Sequence, residues 1–220
     1  MFNSKVHFMM FFMVVSMISC AQHKAKSNQI IPIMQTQPDL KNLSVATFAG
    51  GCFWCTETIF ESIKGVKEVV SGYSGGTEPN PSYESVGSGQ TSHAEAFQVY
   101  YDPQEISYAE LVKVFFASID PTIVDGQGPD RGSQYRTIAF YSNEEEKAII
   151  EQKIAELSLE YDKPIATQVV RFTKFYQAED YHQNFVKRNP NQGYVRHESI
   201  PRRERTLAKV PELVKPKDKN

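Results

Sequence analysis

The segment Gly50-Gly51-Cys52-Phe53-Trp54-Cys55-Thr56-Glu57 carries the residues best suited to chemistry. An apolar run from Val45 to Ala49 precedes it and reads as a short strand. A helical run from about Phe53 to Lys64 follows. Two glycines let the chain turn tightly between them. A thiol at a helix N-terminus faces unpaired N–H groups and the positive end of the dipole, and both favour a thiolate. Cys52 is therefore expected to have a lowered pKa and to act as a nucleophile. An inert buried cysteine is the bland alternative, against which stand the Gly-Gly turn and the only Trp in the chain. The CxxC spacing of Cys52 and Cys55 admits two more readings. One is half a zinc site completed by His93 and His182. It is disfavoured because two bulky aromatics sit inside the pair, so no metal is expected. The other is a thioredoxin-like redox pair, in which the Trp normally precedes the first Cys instead of lying between the two.

The elements that must position this thiol read as alternating strands and helices. Val66 to Tyr73 and Ala94 to Tyr101 are strands, joined by a Gly-, Pro- and Ser-rich loop from Gly75 to Ser92. Ser107-Tyr108-Ala109-Glu110 is a capping box opening a helix with Leu111, Val114, Phe115 and Ile119 on its apolar face. Ile119 to Gln134 is a second long loop; such loops in compact domains are often functional. Tyr135 to Tyr141 is a strand. Ser142-Asn143-Glu144-Glu145 is a capping box for a helix running to about Tyr161. Thr167 to Phe172 is a strand, and Ala178 to Lys187 is a last short helix. The first six elements run β-α-β-β-α-β. The fold class expected is α/β (α+β): a ferredoxin-like split βαβ plait with long functional loops and an extended C-terminal tail. The tail, 201–220, is basic and poor in apolar residues, and reads as a solvated segment.

Of 220 residues, 24 are Lys or Arg and 26 are Asp or Glu. That balance gives no electrostatic case for nucleic acid as a partner. Three cysteines cannot build a disulfide framework. Lys5 followed by the apolar run Phe8 to Ile18 is too short to span a bilayer and fits a secretory signal over residues 1–19. Ser19-Cys20 resembles a bacterial lipoprotein processing site, with Met17 where Leu is usual, and makes Cys20 the candidate lipid-bearing residue. Cleaved secretion without lipid is the alternative. Residues 20–41 are polar and Gln-rich and read as a tether. The expected domain is then 42–200, exported and held at the bacterial cell envelope through its N-terminal lipid alone. All six Met lie at or before Met34; sparing of Met suits oxidising surroundings, and chance distribution is the alternative.

Five further blocks, in order after GCFWCTE, complete a pattern: GYSGG with PNPSY, TSHAEAFQVYYDP, DRGSQYR and YHQNF. Together they resemble the A-type peptide methionine sulfoxide reductases, over Phe48 to Tyr194. The resemblance implies a ferredoxin-like α/β core and reduction of methionine-(S)-sulfoxide, in proteins and as the free amino acid. It makes Cys52 the nucleophile, Glu95 the acid, and Tyr83 and Tyr135 the phenols that hydrogen-bond the sulfoxide oxygen. It makes Phe53 and Trp54 the pocket for the substrate methyl group, and Asp130 the residue that positions the substrate's backbone amide. Glu95 also sits among the apolar residues of its strand, which suits burial and a raised pKa. His93, in a matched block, reads as a structural residue holding the loop before Glu95.

Attack by Cys52 leaves a sulfenic acid. Many family members carry a recycling Cys after a Gly-Tyr near the C-terminus; here Gly193-Tyr194 is followed by Val195, and no Cys follows Cys55. Cys55 is the expected resolving thiol, and direct attack on Cys52 by an external thiol is the alternative. The resemblance implies no cofactor beyond thioredoxin or another dithiol as electron donor. It implies oxidised proteins as substrates and a monomeric enzyme. A thiol-disulfide oxidoreductase using the CxxC pair is the competing function, and a non-enzymatic envelope lipoprotein is a third.

Overall fold

The computed structural model describes residues 42–216. The apolar alternation of the sequence becomes strands β1 (Ser44–Gly50), β2 (Val66–Ser74) and β3 (Ala94–Tyr101), with helix α1 (Phe53–Phe60) between the first two and α2 (Tyr83–Gly87) between the next. There follow α3 (Tyr108–Ser118), the short pair β4 (Gly126–Gln127) and β5 (Asp130–Arg131), β6 (Thr137–Tyr141) and α4 (Glu144–Leu157). The chain closes with β7 (Gln168–Arg171), β8 (Phe175–Gln177), α5 (Phe185–Arg188) and α6 (Ile200–Lys209). Six strands form one mixed sheet in the order β7-β6-β1-β3-β2-β8. Only the β6–β7 pairing is parallel among them. The architecture is a mixed α/β fold.

Period-two alternation sends Phe97, Val99 and Tyr101 of β3 into the main core, with Phe48, Phe60 and Phe115. Ala94 and Ala96 face the other way, into a smaller cluster with Ile138 and Phe140. Glu95 shares the face of Phe97, so the strand itself carries a carboxyl into the buried side. Phe48 is the hub of the ring packing, its centroid 4.8 Å from that of Phe115. The capping box on α3 is present: Ser107 accepts from the Glu110 N–H, and Glu110 accepts from the Ser107 N–H at 2.8 Å.

Several expectations need correction. The cap of α4 is shifted by one residue: Asn143 accepts from the Glu146 N–H at 2.9 Å, and Glu146 accepts from the Ser142 N–H. The helix ends at Leu157, not near Tyr161. Tyr135 lies in a 3-10 turn, Ser133–Tyr135, just before β6. No continuous helix spans Ala178 to Lys187. Asn184 adopts a left-handed conformation, φ 54°, and only Phe185–Arg188 continues as helix. The buried Glu57 carboxylate holds that turn by accepting the Asn184 N–H at 2.9 Å.

The largest correction is the segment 201–220. Its residues 201–209 are not a solvated tail but belong to α6, which packs against α1 and α3. Val210 and Leu213 belong to the main core, and Val214 pairs with Ile63. The folded unit therefore runs past residue 200. α6 escapes a hydropathy reading because its buried positions are Arg202 and Thr206. Arg202 is satisfied inside: its Nε donates to the Ser118 carbonyl at 3.0 Å and its Nη2 to the Gly50 carbonyl at 2.7 Å. Residues 1–41, with the expected signal, Cys20 and tether, lie outside the described residues. Among the described residues no helix is long and apolar enough to cross a membrane.

Arg202→Ala removes a charged donor from two buried carbonyls. It is expected to destabilise the protein by about 3 kcal/mol or more, read as a lower urea midpoint with unchanged slope.

Candidate active site

Cys52 is the residue at which β1 hands over to α1, as the N-cap of the helix. The turn before it depends on Gly51, whose φ of +76° is left-handed. A Cβ there would also stand 2.6 Å from the Gln127 Cβ, so no other residue fits without displacing the loop. Gln127 is part of the support: its side chain accepts from the Asp120 N–H at 2.8 Å and donates to the Asp120 carbonyl at 2.7 Å. This closes the 120–127 loop, and Gln127 in turn pairs with Asp130 across β4 and β5.

The first N–H of α1 faces across to β3. Phe53 N–H donates to Glu95 Oε2 at 2.9 Å. Glu95 is 2% exposed, and burial pushes its carboxyl up to about 8, against the pull of the Phe53 N–H. A proton therefore sits on Glu95 at neutral pH. The helix-start N–H that the sequence suggested for Cys52 is committed to this carboxyl instead. The Cys52 thiol is accordingly not lowered. Burial pushes it well up, reinforced by Cys55, Glu95 and Asp130. That corrects the expectation of a resting thiolate: buried among acids, the dipole of an eight-residue helix does not offset desolvation.

Cys52, Phe53, Trp54, Tyr83, Glu95, Asp130, Tyr135 and Tyr194 wall one cavity of about 180 Å³. Three regions of chain are tied together to form it. Arg136 donates to the Ser133 and Ser92 carbonyls, and Gln134 donates to the Gly87 carbonyl. These bonds lock the Tyr135 turn to α2, which opens with Tyr83, and to the loop after it. Glu179 then fixes Tyr83 by accepting its N–H at 3.0 Å, with Tyr73 donating to the other carboxylate oxygen at 2.8 Å. Burial raises Tyr83 to about 12 and lifts Tyr135 as well, so both phenols keep their protons as donors.

The aromatic wall is equally braced. Phe53 is 1% exposed and packs with Tyr73, Tyr83 and His182. Trp54 stacks on Phe185 at 3.8 Å and donates its indole N–H to His182 Nδ1 at 3.1 Å. Burial lowers His182, keeping it neutral and able to accept. His93 accepts from the Gly76 N–H through Nδ1, and its Nε2 donates to the Glu78 carbonyl at 2.8 Å. Neither His approaches a metal arrangement with the cysteines: no group of metal-binding side chains occurs among the described residues.

Cys55 lies behind Cys52, fully buried, and is not among the walls of the cavity. Its thiol donates to Ser199 Oγ at 3.2 Å and lies 3.8 Å from the Tyr194 hydroxyl. A hydrogen bond from Cys52, the Arg202 charge, Ser199 and Tyr194 together bring it down to about 7, against burial. Both thiols are free. Tyr194, whose hydroxyl donates to Asp130 Oδ2 at 2.6 Å, was not a predicted site residue. Nor were Ser199 and Arg202; His182 enters the sequence reading only as a zinc-ligand candidate, whereas here it accepts from the Trp54 indole. The Gly193-Tyr194 pair and the YHQNF block around His182 are signals in plain view; Ser199 and Arg202 come from chain with no local signature.

The peptide methionine sulfoxide reductase family model matches residues 44–213. The chain belongs to that family. It is 52% identical over 150 residues to a peptide methionine sulfoxide reductase of Rhodopirellula baltica, covering 68% of this chain and 78% of that one. To a peptide methionine sulfoxide reductase of Thermus thermophilus it is 48% identical over 172 residues, covering 78% of this chain and 98% of the relative. Among solved structures it resembles the reduced form of Mxr1 from Saccharomyces cerevisiae, with TM-score 0.64 and 34% identity, covering 69% and 88% of the two chains. Methionine sulfoxide reductase A of Corynebacterium diphtheriae gives TM-score 0.64 at 29% identity, over 69% and 77%. This chain is therefore an enzyme of the peptide methionine sulfoxide reductase family, and its cavity is the place to look for that chemistry.

The raised Glu95 has a thermodynamic signature. Between the ordinary carboxyl value and about 8, the folded protein holds a proton that the unfolded chain releases. Stability contributed by this group is therefore lost as pH rises through that window. Glu95→Gln removes the slope: relative to the parent, its unfolding free energy should gain on the order of a few kcal/mol between mildly acidic pH and pH about 8, read from urea midpoints.

Proposed function

We propose that this chain reduces methionine-(S)-sulfoxide, in proteins and as the free amino acid, with Cys52 as nucleophile, and is regenerated by a thioredoxin-like dithiol. One observation carries the reading. A buried, un-ionised Glu95 shares a small aromatic cavity with the Cys52 thiol. A sulfoxide presents an electrophilic sulfur and a basic oxygen, so it needs a nucleophile and a proton donor together.

In this reading the substrate methyl group sits against Phe53 and Trp54, and its oxygen points to Glu95, Tyr83 and Tyr135. Asp130, braced by Tyr194, receives the substrate's backbone amide. Cys52 attacks the substrate sulfur, its thiol proton and that of Glu95 passing to the oxygen; the S–O bond breaks, water forms and an S–S-bonded sulfonium remains on Cys52. Water then attacks the Cys52 sulfur, the S–S bond breaks with its electron pair going to methionine, and the one proton released returns to Glu95 as the charge is neutralised, leaving methionine and a sulfenic acid. At rest Cys52 is held as a thiol; its proton leaves only when a sulfoxide is bound to accept one.

Cys55 then displaces the hydroxyl of the sulfenic acid, forming a Cys52–Cys55 disulfide with loss of water. The i+3 spacing on α1 and the lowered Cys55 thiol support this assignment. The external dithiol returns the two electrons. For the frame, the order β6-β1-β3-β2 with α1 and α3 as crossovers supports a ferredoxin-like plait. For location, the Phe8–Ile18 run and Ser19-Cys20 support an exported enzyme, lipid-anchored at Cys20 and tethered by 20–41. Mass spectrometry of the mature N-terminus tests the anchor: an acylated Cys20 is expected, and an unmodified terminus contradicts it.

Incubation with dithiothreitol and a racemic methyl sulfoxide, read on a chiral column, should show loss of the S epimer alone. Insulin reduction without sulfoxide loss would favour the thiol-disulfide reading. Cys52→Ser should abolish turnover, and Glu95→Gln should slow the first step by about 10²-fold or more. Cys55→Ser should still yield one equivalent of methionine per enzyme but form no internal disulfide; a disulfide in that variant contradicts the resolving role.

A further inference from the structure

The two cysteines present their sulfurs very differently. Cys52 walls the substrate cavity and keeps 6% exposure, whereas Cys55 is 0% exposed. Behind Cys55 stand Ser199 Oγ at 3.2 Å, the Tyr194 hydroxyl at 3.8 Å and the guanidinium of Arg202. Arg202 is itself immobilised by the Gly50 and Ser118 carbonyls. Thiol-disulfide exchange needs an attacking thiolate with access to one sulfur and a good leaving thiolate on the other. Access exists at Cys52, and a cradle for a leaving thiolate exists at Cys55.

We infer that the reductant opens the Cys52–Cys55 disulfide through the substrate cavity, attacking Cys52 and expelling Cys55 into the Ser199, Tyr194 and Arg202 cradle. The inference rests on the proposed reading of Cys55 as the resolving thiol. In the step, the reductant thiolate forms a bond to Cys52 Sγ while the Cys52–Cys55 bond breaks, and Cys55 takes the electron pair. The second thiol of the reductant, as thiolate, then attacks the reductant sulfur and releases Cys52. The dithiol is oxidised to its disulfide, and both enzyme thiols are restored with two protons. Methionine must therefore leave before the reductant enters, since both use one cavity. The lowered Cys55 thiol fits this direction, because a thiol of lower pKa leaves faster. Ser199 and Arg202 are positioning residues in this scheme. They touch neither the sulfoxide nor the reductant and act through Cys55.

The test uses the full protein, oxidised by one equivalent of methyl sulfoxide without added thiol. A brief pulse of glutathione is quenched in acid, and peptide mass spectrometry locates the attached glutathione. It should be on Cys52 in about tenfold or greater excess, with Cys55 free. Glutathione mainly on Cys55 overturns this inference alone. Absence of any Cys52–Cys55 disulfide after turnover overturns it together with the resolving role. Ser199→Ala should raise the pH at which Cys55 ionises in the reduced protein and slow disulfide opening by about threefold. If neither changes, the cradle is wrong.

Discussion

One contact sets the character of the site: the Phe53 N–H on Glu95 Oε2 across 42 residues of chain. It joins the start of α1 to the start of β3 and fixes the carboxyl beside the Cys52 thiol. Because the oxygen it grips is otherwise buried, the bond is not enough to ionise the group. Desolvation wins, and the proton stays. The same bond removes a helix-terminal donor from Cys52. Burial thus keeps the acid protonated in spite of this bond, while the bond holds the carboxyl in place and withholds a donor from the nucleophile until both are needed.

The rest of the molecule can be understood as holding that pair in register. β1 and β3 are adjacent antiparallel strands, so the turn after one and the beginning of the other lie side by side. Arg202 binds the Gly50 carbonyl from behind, which makes α6 a brace for the turn and not an appendage. Glu57, Glu179 and His182 do the same on the far wall, each through a bond to a residue carrying or supporting an aromatic side chain. Buried polar groups of this kind are costly when unpaired and rigid when paired, which is why a small cavity can keep its shape.

Much of this was legible in the sequence. β3 is legible with its observed limits, Ala94 to Tyr101, because an apolar-rich run there lies between a Gly- and Ser-rich loop and Asp102-Pro103. The α3 cap was legible because its reciprocal bonds are local. The candidate residues Cys52, Phe53, Trp54, Tyr83, Glu95, Asp130 and Tyr135 were named from their blocks, and the structure gathers them around one cavity. What was not legible is tertiary. Nothing local says that the Cys52 thiol is buried beside Cys55, Glu95 and Asp130, so the sequence alone gives its shift the opposite sign. A helix face whose buried positions are Arg202 and Thr206 gives no apolar signal, so the sequence alone reads as a tail there. Asn184, left-handed at the start of α5, confines the helix to Phe185–Arg188 where composition alone would begin it at Ala178.

The central claim is that Glu95 carries a proton at neutral pH in the resting enzyme. Isotope-edited infrared spectroscopy of the carboxyl, with Glu95→Gln as the difference partner, reads this directly. The account predicts a protonated carboxylic acid C=O band at neutral pH that fades as pH rises through about 8. A carboxylate band alone, already present at mildly acidic pH, would contradict it.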